Sequence, residues 1–406
     1  MKLREYQEKI AVQAACKLAS FGCCYLSMEC RTGKTITALH AADAFKAQSV
    51  LFISKLKAIP SVRTDHEALK PSFKMEAVNY ESVHKVFGKY DLIIIDEAHA
   101  LGAYPKPSKR TLEIKRICDG LPVLYLSGTP SPESYSQLYH QFWVCSFSPW
   151  KEYKTFYKWA KEYVTVRQKK VNGYLVNDYS HADKSKMDRD TENLFISYSQ
   201  EQAGFETDIH ETVLEVPMKQ ITRHLIHTLR TNLVTEIDGN AVLGDSPAKL
   251  LTKLHQLSSG TVIAENGLHL TFDGSKAEFV RKHFAGKKIA LFYVYQSEAE
   301  LLQSVFQNWT DSPEVFQASP GKVFISQVRR AREGVRLDTA DALIFFNLEF
   351  SYLSYEQGKN RLVSKERDTP AEVYFLCSDC GIECKILEAV HGKQDFTLSY
   401  YGRTGK

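Results

Sequence analysis

The sequence lacks the long apolar run that a membrane-spanning helix needs. No stretch of its 406 residues approaches the ~18 consecutive apolar residues required to cross a bilayer. Its first residues, MKLREYQEKIAVQAACKLASFG, also lack the apolar core of a secretory signal peptide. We therefore expect no membrane association and a cytoplasmic location.

The sequence shows no sign of a disulfide framework. The chain has nine cysteines, an odd number without a secretion signal, which favours reduced thiols. The stretch CSDCGIEC puts Cys377 and Cys380 at zinc-ligand spacing, but no second CxxC pair or histidine pair follows. We expect buried thiols here in preference to a structural zinc site.

The chain also lacks a strong excess of either charge, internal repeats and low-complexity tracts. Its net charge of +4 permits nucleic-acid binding without requiring it. A hydrophobic content of 44% and a charged content of 25% are typical of a soluble globular protein. The length exceeds that of one ordinary core, so the sequence predicts two domains.

Short apolar runs separated by helical patterns predict two α/β domains. The first series occupies residues 49–54, 90–99 and 121–130, and the second occupies 288–295, 321–327, 341–350 and 371–377. Such runs are typical of buried parallel strands. The middle, roughly 131–260, is aromatic and Lys-rich, lacks clear buried strands and has a hairpin pattern at Asn172-Gly173. We expect a first domain at 1–205, with a helical extension from about 131, and a second at 206–406, with linking helices to about 260.

The stretch CYLSMECRTGKTITALH, residues 24–40, resembles a phosphate-binding loop that lacks one glycine. Gly33, Lys34 and Thr35 match the end of G-x-x-x-x-G-K-[ST], but Met28 stands at the position of the first glycine. In such a loop, backbone N–H groups and a lysine bind phosphates and a hydroxyl binds Mg²⁺. A G-K-T sequence alone is a weak signal, so a second motif has to support it.

That second motif is LIIIDEAH, an apolar strand that ends in Asp96 and Glu97. An aspartate at the strand tip can hold Mg²⁺ through water, and the next glutamate can orient and activate the attacking water. The alternative is a solvated acidic turn. Together with the upstream G-K-T, the motif favours ATP hydrolysis with Mg²⁺.

GKT, DEAH and SGTP, in that order, resemble motifs I, II and III of superfamily-two helicases. LREYQ at residues 3–7 resembles their Q-type motif, FISQVRRAREGVRL resembles motif V, and SYEQGKNRLVSKER resembles motif VI. The pattern is most similar to the Swi/Snf-like branch, in the compact form often encoded by phages, which would place it in the bacterial host cytoplasm. In that branch the early glycine is dispensable, and Arg31 stands where glycine is more usual. Arg31 either adds a positive charge near the phosphates or faces solvent. The resemblance covers most of the chain and is weakest over 131–245.

The resemblance implies an α/β fold of two RecA-like parallel-sheet lobes with a helical, aromatic-rich insertion between them, and ATP hydrolysed in the cleft between the lobes. It implies ATP contacts by Arg4, Gln7, Arg31, Thr32, Gly33, Lys34, Thr35, Glu333, Gly334, Arg361 and Arg367. It implies catalytic roles for Lys34, Asp96, Glu97 and Arg361, and Mg²⁺ binding by Thr35 and Asp96. It implies coupling of hydrolysis to movement by His99, Ser127, Thr129 and Gln357, although Ser127 and Thr129 are open to an alternative role in strand-end capping. It implies nucleic-acid contacts by Ser54, Lys55, Gln327, Arg329, Arg330 and Arg332.

Motif VI departs from the family pattern Q-x-x-x-R-x-x-R. Gln357 and Arg361 match, but Ser364 replaces the second arginine. An arginine finger can be worth roughly 10³–10⁵ in rate, so the loss matters. Arg361 acts alone, or Lys365 or Arg367 has moved into the role, or the site is mainly a clamp. We favour a displaced finger, with Arg367 ahead of Lys365 because its planar fork suits phosphate oxygens.

The predicted function is that of an ATP-dependent DNA helicase or translocase, acting on duplex or single-stranded DNA as a monomer, with an unknown recruiting protein. A nucleotide-gated clamp or remodelling factor without strand separation is the alternative, and an RNA helicase is a further one. The basic run at 167–170 either contacts phosphates or forms a solvated face. The aromatic middle either stacks on bases or packs the lobes together.

Overall fold

The fold is α/β with two RecA-like lobes, each built on a parallel sheet, as the sequence predicted. A computed structural model describes residues 3–171, 174–205, 207–332, 335–364, 367 and 369–392. The chain forms two compact units, and the second runs from Phe205 to Gly392.

The first unit alternates strands and helices before its insertion. Its strands are β1 (Cys23–Met28), β2 (Ser49–Ser54), β3 (Lys74–Asn79), β4 (Leu92–Asp96), β5 (Val123–Leu126), β6 (Arg167–Val171), β7 (Tyr174–Asp178) and β8 (Phe195–Tyr198). Its helices are α1 (Glu5–Phe21), α2 (Lys34–Ala44), α3 (Ile59–Leu69), α4 (Lys109–Ile117), α5 (Gln137–Trp143), α6 (Phe156–Tyr163) and α7 (Lys184–Thr191).

The second unit has its own series. Its strands are β9 (Ile209–Val216), β10 (Val234–Ile237), β11 (Asn240–Leu243), β12 (Thr261–Ile263), β13 (His269–Thr271), β14 (Ile289–Tyr293), β15 (Trp309–Thr310), β16 (Val323–Gln327), β17 (Ala342–Phe345) and β18 (Ala371–Ser378). Its helices are α8 (Gln220–Asn232), α9 (Pro247–Leu257), α10 (Ser275–His283), α11 (Gln296–Val305), α12 (Pro313–Ala318), α13 (Val328–Ala331), α14 (Tyr352–Lys359) and α15 (Glu383–His391).

The first sheet has the strand order β3-β2-β4-β5-β1-β8, and all neighbours are parallel. Its central strands are apolar on both faces because both faces are covered. In β4, Ile93 and Ile95 enter one core cluster while Leu92 and Ile94 enter the other. The parallel arrangement brings the loops after β1, β2, β4 and β5 to one edge of the sheet, where ligands bind in such folds.

The second sheet has the order β15-β16-β14-β17-β18-β9, again parallel throughout. Its central strands β14 and β17 are almost wholly buried. Beside them, Lys276 and Glu383 form a fully buried ion pair at 2.9 Å.

The insertion packs within the first unit. The side chains of Phe142, Trp150, Phe156 and Trp159 are almost completely buried in one of its core clusters. Rings that are buried in this way are not available for stacking on bases. The predicted hairpin is present as the antiparallel pair β6 and β7, while its turn residues 172–173 lie outside the described residues.

The expectation that the middle of the chain lacks clear buried strands was wrong for β8, and a second sheet strand, the mostly exposed β9, was also missed. β8 pairs with β1 in the first sheet, and β9 pairs with β18 in the second. Both are edge strands. β8 has only four residues, and β9 is exposed along most of its length, so neither has the long apolar run of a central strand.

Across the part of the chain that the structure describes, no helix combines the length and apolar character needed to span a membrane. The expectation of buried thiols in CSDCGIEC holds only for Cys377, because Cys380 is partly exposed and Cys384 is exposed. No group of three or more metal-ligating His, Cys, Asp or Glu side chains occurs among the described residues.

Candidate functional site

The loop between β1 and α2 has a geometry that explains the missing glycine. Met28 is the last residue of β1, is fully buried and pairs with Tyr198 of β8. An extended residue inside a strand does not require glycine. The left-handed positions are Arg31, with φ of 64°, and Gly33, with φ of 81°. Glycine is therefore needed at the second position of the motif and not at the first.

The start of α1 packs against this loop. A Cβ atom on Gly33 would lie 2.1 Å from Nε2 of Gln7, so any other residue at this left-handed position would also displace the Gln7 side chain. The Gln7 side chain donates a hydrogen bond to the Thr32 carbonyl at 3.4 Å, and the Tyr6 hydroxyl donates to the same carbonyl at 2.9 Å. The Arg4 backbone N–H in turn donates to Oε1 of Gln7 at 2.9 Å, which fixes the orientation of the Gln7 side-chain amide. Arg4 and Gln7, predicted to contact ATP, thus lie beside the loop.

Lys34 is the first residue of α2, and its amine folds back over the loop. Its Nζ donates a hydrogen bond to the Met28 carbonyl at 2.8 Å. Gly128, which follows β5, approaches from the other side, since a Cβ there would lie 3.3 Å from that Nζ. Gly128 is the glycine of SGTP and was not among the predicted site residues.

Asp96 ends β4 with a buried carboxylate. Ser54, at the end of β2, donates a hydrogen bond to Oδ2 at 2.7 Å, and the Glu97 backbone N–H donates to Oδ1 at 3.0 Å. Burial, together with the Glu97 carboxylate, raises the pKa of Asp96 to about 6, while Ser54 and the positive charge of Lys34 oppose the rise. Ser54, predicted to contact nucleic acid, is itself fully buried and bonded to Asp96.

A polar chain joins the ends of β4 and β5. Glu97 adopts a left-handed conformation with φ of 52°, and its Oε2 lies 3.3 Å from Nδ1 of His99. The same Nδ1 lies 3.0 Å from the Ser127 hydroxyl, which accepts a hydrogen bond from the Thr129 backbone N–H at 3.1 Å. The structure therefore brings together three residues predicted to couple hydrolysis to movement. Tyr80, which the sequence analysis missed, donates to the Asp96 carbonyl at 2.5 Å.

The segment after β8 also contacts the loop. The Glu29 backbone N–H donates to the Tyr198 carbonyl at 3.0 Å, and the Gln200 backbone N–H donates to the Glu29 carboxylate at 2.6 Å. The Gln200 side-chain amide donates to the Cys30 carbonyl at 2.9 Å. These contacts could not be predicted from the sequence without strand β8.

The residues at this edge fit Mg²⁺ and a nucleotide phosphate. Asp96 supplies carboxylate oxygens, which Mg²⁺ prefers as ligands, and Thr35, whose hydroxyl could add another, is the second residue of α2. The amine of Lys34 lies close enough to Asp96 to oppose part of the rise in the pKa of that carboxyl. The site thus provides oxygen ligands for a cation and a positive charge for a phosphate.

In the second unit, the predicted arginines contact main-chain carbonyls. Arg361 is buried and donates through Nε to the Gln357 carbonyl at 2.9 Å. Arg367 donates through Nη1 to the carbonyls of Asp338 at 3.0 Å and Ala340 at 2.8 Å. Glu333, Gly334 and Lys365 lie outside the described residues.

The residues predicted to contact nucleic acid in the second unit lie around β16 and α13. Gln327 donates to the Val294 carbonyl at 2.9 Å. Arg329 pairs with Glu349 at 2.6 Å, and Arg330 pairs with Asp311 at 2.9 Å. Arg332 lies 3.7 Å from Glu349. The side chains of Arg329 and Arg330 are 69% and 60% exposed, so both are accessible. Lys55, predicted to do the same in the first unit, follows β2 and is partly exposed.

Comparisons with known proteins show the fold and leave the family open. No protein-family model matches the chain, and no curated protein matches it. Among solved structures, it is similar to one described as "ATP-dependent Type ISP restriction-modification enzyme LlaBIII bound to DNA", with 16% identity and a TM-score of 0.53. The match covers 92% of this chain and 27% of that one, so this chain spans about a quarter of the length of the enzyme it matches. At this identity the likeness establishes a shared fold across both units.

Proposed function

We propose that this chain is a nucleic-acid-dependent ATPase of the superfamily-two helicase type that uses Mg²⁺ and acts on DNA. One observation carries the proposal. Lys34, Asp96 and Glu97 meet at the carboxyl edge of the first parallel sheet, on a strand-loop-helix turn and the tip of a nearby strand. That combination matches the needs of phosphoryl transfer to water.

Each residue has a role that its surroundings support. Lys34 balances phosphate charge, and Asp96 and Thr35 hold Mg²⁺, with Ser54 fixing the Asp96 carboxylate. Bound Mg²⁺ would neutralise charge on the β- and γ-phosphates. Glu97 accepts a proton from the attacking water, and its oxygen is held near His99.

The contacts of His99 support a route from the site to the rest of the first unit. His99 lies between Glu97, which would contact the attacking water, and Ser127 at the end of β5. A change at Glu97 on hydrolysis would alter this contact. We propose that His99, Ser127 and Thr129 transmit the nucleotide state in this way.

DNA is the proposed partner for two reasons. The structure with the shared fold is described as bound to DNA. The exposed guanidinium groups of Arg329 and Arg330 provide charges of the type that bind phosphates. RNA is the alternative substrate, and a comparison of ATPase stimulation by DNA and by RNA separates the two.

A nucleotide-gated clamp is the second candidate, and one observation favours it. Ser364 replaces the second arginine of motif VI, and the guanidinium groups of Arg361 and Arg367 are bonded to carbonyls of their own unit. Such groups must leave these bonds before they can stabilise a transition state. A clamp would bind ATP and nucleic acid with little turnover.

The test is the ATPase rate with duplex DNA, single-stranded DNA and RNA measured side by side, for the wild type and Lys34→Ala. We expect stimulation by DNA in the wild type and loss of hydrolysis in the variant, because a charge-assisted phosphate contact is removed. Lys109→Ala, which removes an exposed lysine at the start of α4, should behave as wild type. Wild-type turnover in Lys34→Ala would refute the assignment.

A further inference from the structure

The loop is held at both ends by neighbouring parts of the first unit. Tyr198 pairs with Met28 where the loop begins, and its ring stacks on Tyr6 with the centroids 4.6 Å apart. The Tyr6 hydroxyl donates to the Thr32 carbonyl near the end of the loop. Seven residues after Tyr198, the chain enters the second unit at Phe205.

Gln200 lies in this connecting segment and makes two different bonds to the loop. Its backbone N–H donates to the Glu29 carboxylate at 2.6 Å, a bond strengthened by the carboxylate charge. Its side-chain Nε2 donates to the Cys30 carbonyl at 2.9 Å. We name these bonds between Gln200, Glu29 and Cys30 the clasp.

The bond to Cys30 has a consequence for phosphate binding. A peptide group is planar and trans, so a carbonyl and the N–H that follows it point in opposite directions. By holding the Cys30 carbonyl, Gln200 fixes the direction of the Arg31 N–H. Loops of this type bind phosphates through backbone N–H groups, so the direction of each peptide determines whether it can contribute.

We propose that Gln200 is a positioning residue for the nucleotide site, which orients the Cys30–Arg31 peptide before ATP binds and ties the loop to the segment leading into the second unit. This inference rests on the proposed ATP-binding function. It adds a residue outside the motifs and a physical link between nucleotide binding and the connecting segment.

The link has to act in both directions, because coupling between two sites is reciprocal. If the clasp favours the nucleotide-binding form of the loop, then bound nucleotide favours the state in which both Gln200 bonds are formed. Nucleotide binding should therefore slow the hydrogen exchange of the Gln200 backbone N–H, which donates to the Glu29 carboxylate.

The first test compares Gln200→Glu and Gln200→Ala with Glu201→Ala. Gln200→Glu keeps the shape but replaces the donor to Cys30 with a carboxylate, while Glu201 is the exposed neighbour in the same segment. We expect both Gln200 variants to raise the KM for ATP about tenfold with kcat unchanged. Each variant loses the hydrogen bond to the Cys30 carbonyl, which contributes about that factor to nucleotide binding and nothing to the chemical step. Glu201→Ala should keep both constants. A wild-type KM in Gln200→Glu would overturn the proposal.

The second test does not depend on a variant. Hydrogen exchange of the wild type, with and without a non-hydrolysable ATP analogue and Mg²⁺, should show slower exchange over residues 198–204 when the analogue is bound. If exchange over residues 198–204 is unchanged while the loop between β1 and α2 is protected, the proposal is overturned. That result would leave the proposed function intact, whereas the function itself fails if Lys34→Ala hydrolyses ATP normally.

Discussion

The folded protein favours the protonated form of Asp96, whereas the proposed chemistry requires the ionised form. Its carboxylate is buried beside Glu97, and burial raises its pKa to about 6 from the ordinary 3.8. The ionised form that would hold Mg²⁺ is thus the form that the ligand-free protein disfavours. Bound Mg²⁺ would supply the positive charge that offsets this cost.

Replacing Asp96 with Asn should stabilise the ligand-free protein at high pH. The folded state binds a proton at Asp96 up to about pH 6, while the unfolded chain loses it near pH 3.8, so stability from this group falls as the pH rises through that window. Asp96→Asn avoids the loss and should raise the free energy of unfolding by up to about 3 kcal/mol at pH 8, with a gain that vanishes near pH 4. Urea unfolding across this range measures the difference.

The same variant should lose the added stability that Mg²⁺ and ATP give the wild type. Glu113→Gln is a matched control because it removes a half-exposed carboxylate of the same unit, whose pairing with Arg116 is worth little. It should show neither effect. An Asp96→Asn protein that is less stable than the wild type at pH 8 would contradict this account of the carboxylate.

At the scale of elements, helix α5 joins the insertion to the first unit through a buried histidine. Nδ1 of His140 lies 2.6 Å from the Ala103 carbonyl, and the ring stacks on Phe156 of α6 at 5.8 Å. Burial lowers the pKa of His140 to about 4, although the Ala103 carbonyl opposes the shift. The neutral ring is therefore part of the packed insertion.

Acid should weaken the first unit through His140. Because the folded pKa is depressed, stability from this group is present above about pH 6.5 and is lost as the pH falls to about 4, by up to about 3 kcal/mol. In His140→Asn the amide nitrogen can replace Nδ1 as donor, so the variant should be less stable overall but should lack this pH-dependent loss. Urea midpoints between pH 4 and 7 test it, with the exposed His84→Asn as control. Parallel pH curves for wild type and His140→Asn would contradict the assignment.

The elements also show what the sequence could and could not predict. Central strands such as β4 were predictable because burial on both faces requires a continuous apolar run. Lys34, Asp96 and Glu97 were selected because fixed spacing on a strand-loop-helix pattern carries chemical meaning, although their roles remain predictions. Edge strand β8 has no such pattern.

Because β8 was not predicted from the sequence, part of the site was not predicted either. Without that strand, nothing in the local sequence places Gln200 beside Glu29, because the two are far apart along the chain. Tyr80 was missed for a related reason, since it contacts the site through long-range packing. Gly128 could have been selected, because it belongs to the SGTP motif.

At the scale of the whole molecule, a net charge of +4 leaves DNA binding dependent on local groups. DNA affinity should therefore fall steeply with salt, because phosphate contacts release counterions, and it should show little sequence preference. Arg329→Ala should reduce the slope of log affinity against log salt by about one. Arg281→Ala, an exposed arginine of α10 paired with Glu278, should keep the wild-type slope. Salt-independent binding, or strong preference between unrelated duplexes of equal length, would argue against this interface.

We propose that Glu97 activates water for ATP hydrolysis at the edge of the first sheet. The most direct measurement compares ATP binding with DNA-stimulated ATP turnover in Glu97→Gln, a variant that keeps the shape of the side chain but cannot act as a base. We predict that it binds ATP as the wild type does, loses turnover by on the order of 10²-fold or more, and stays bound to DNA with ATP present. Hydrolysis at the wild-type rate in Glu97→Gln would contradict the claim.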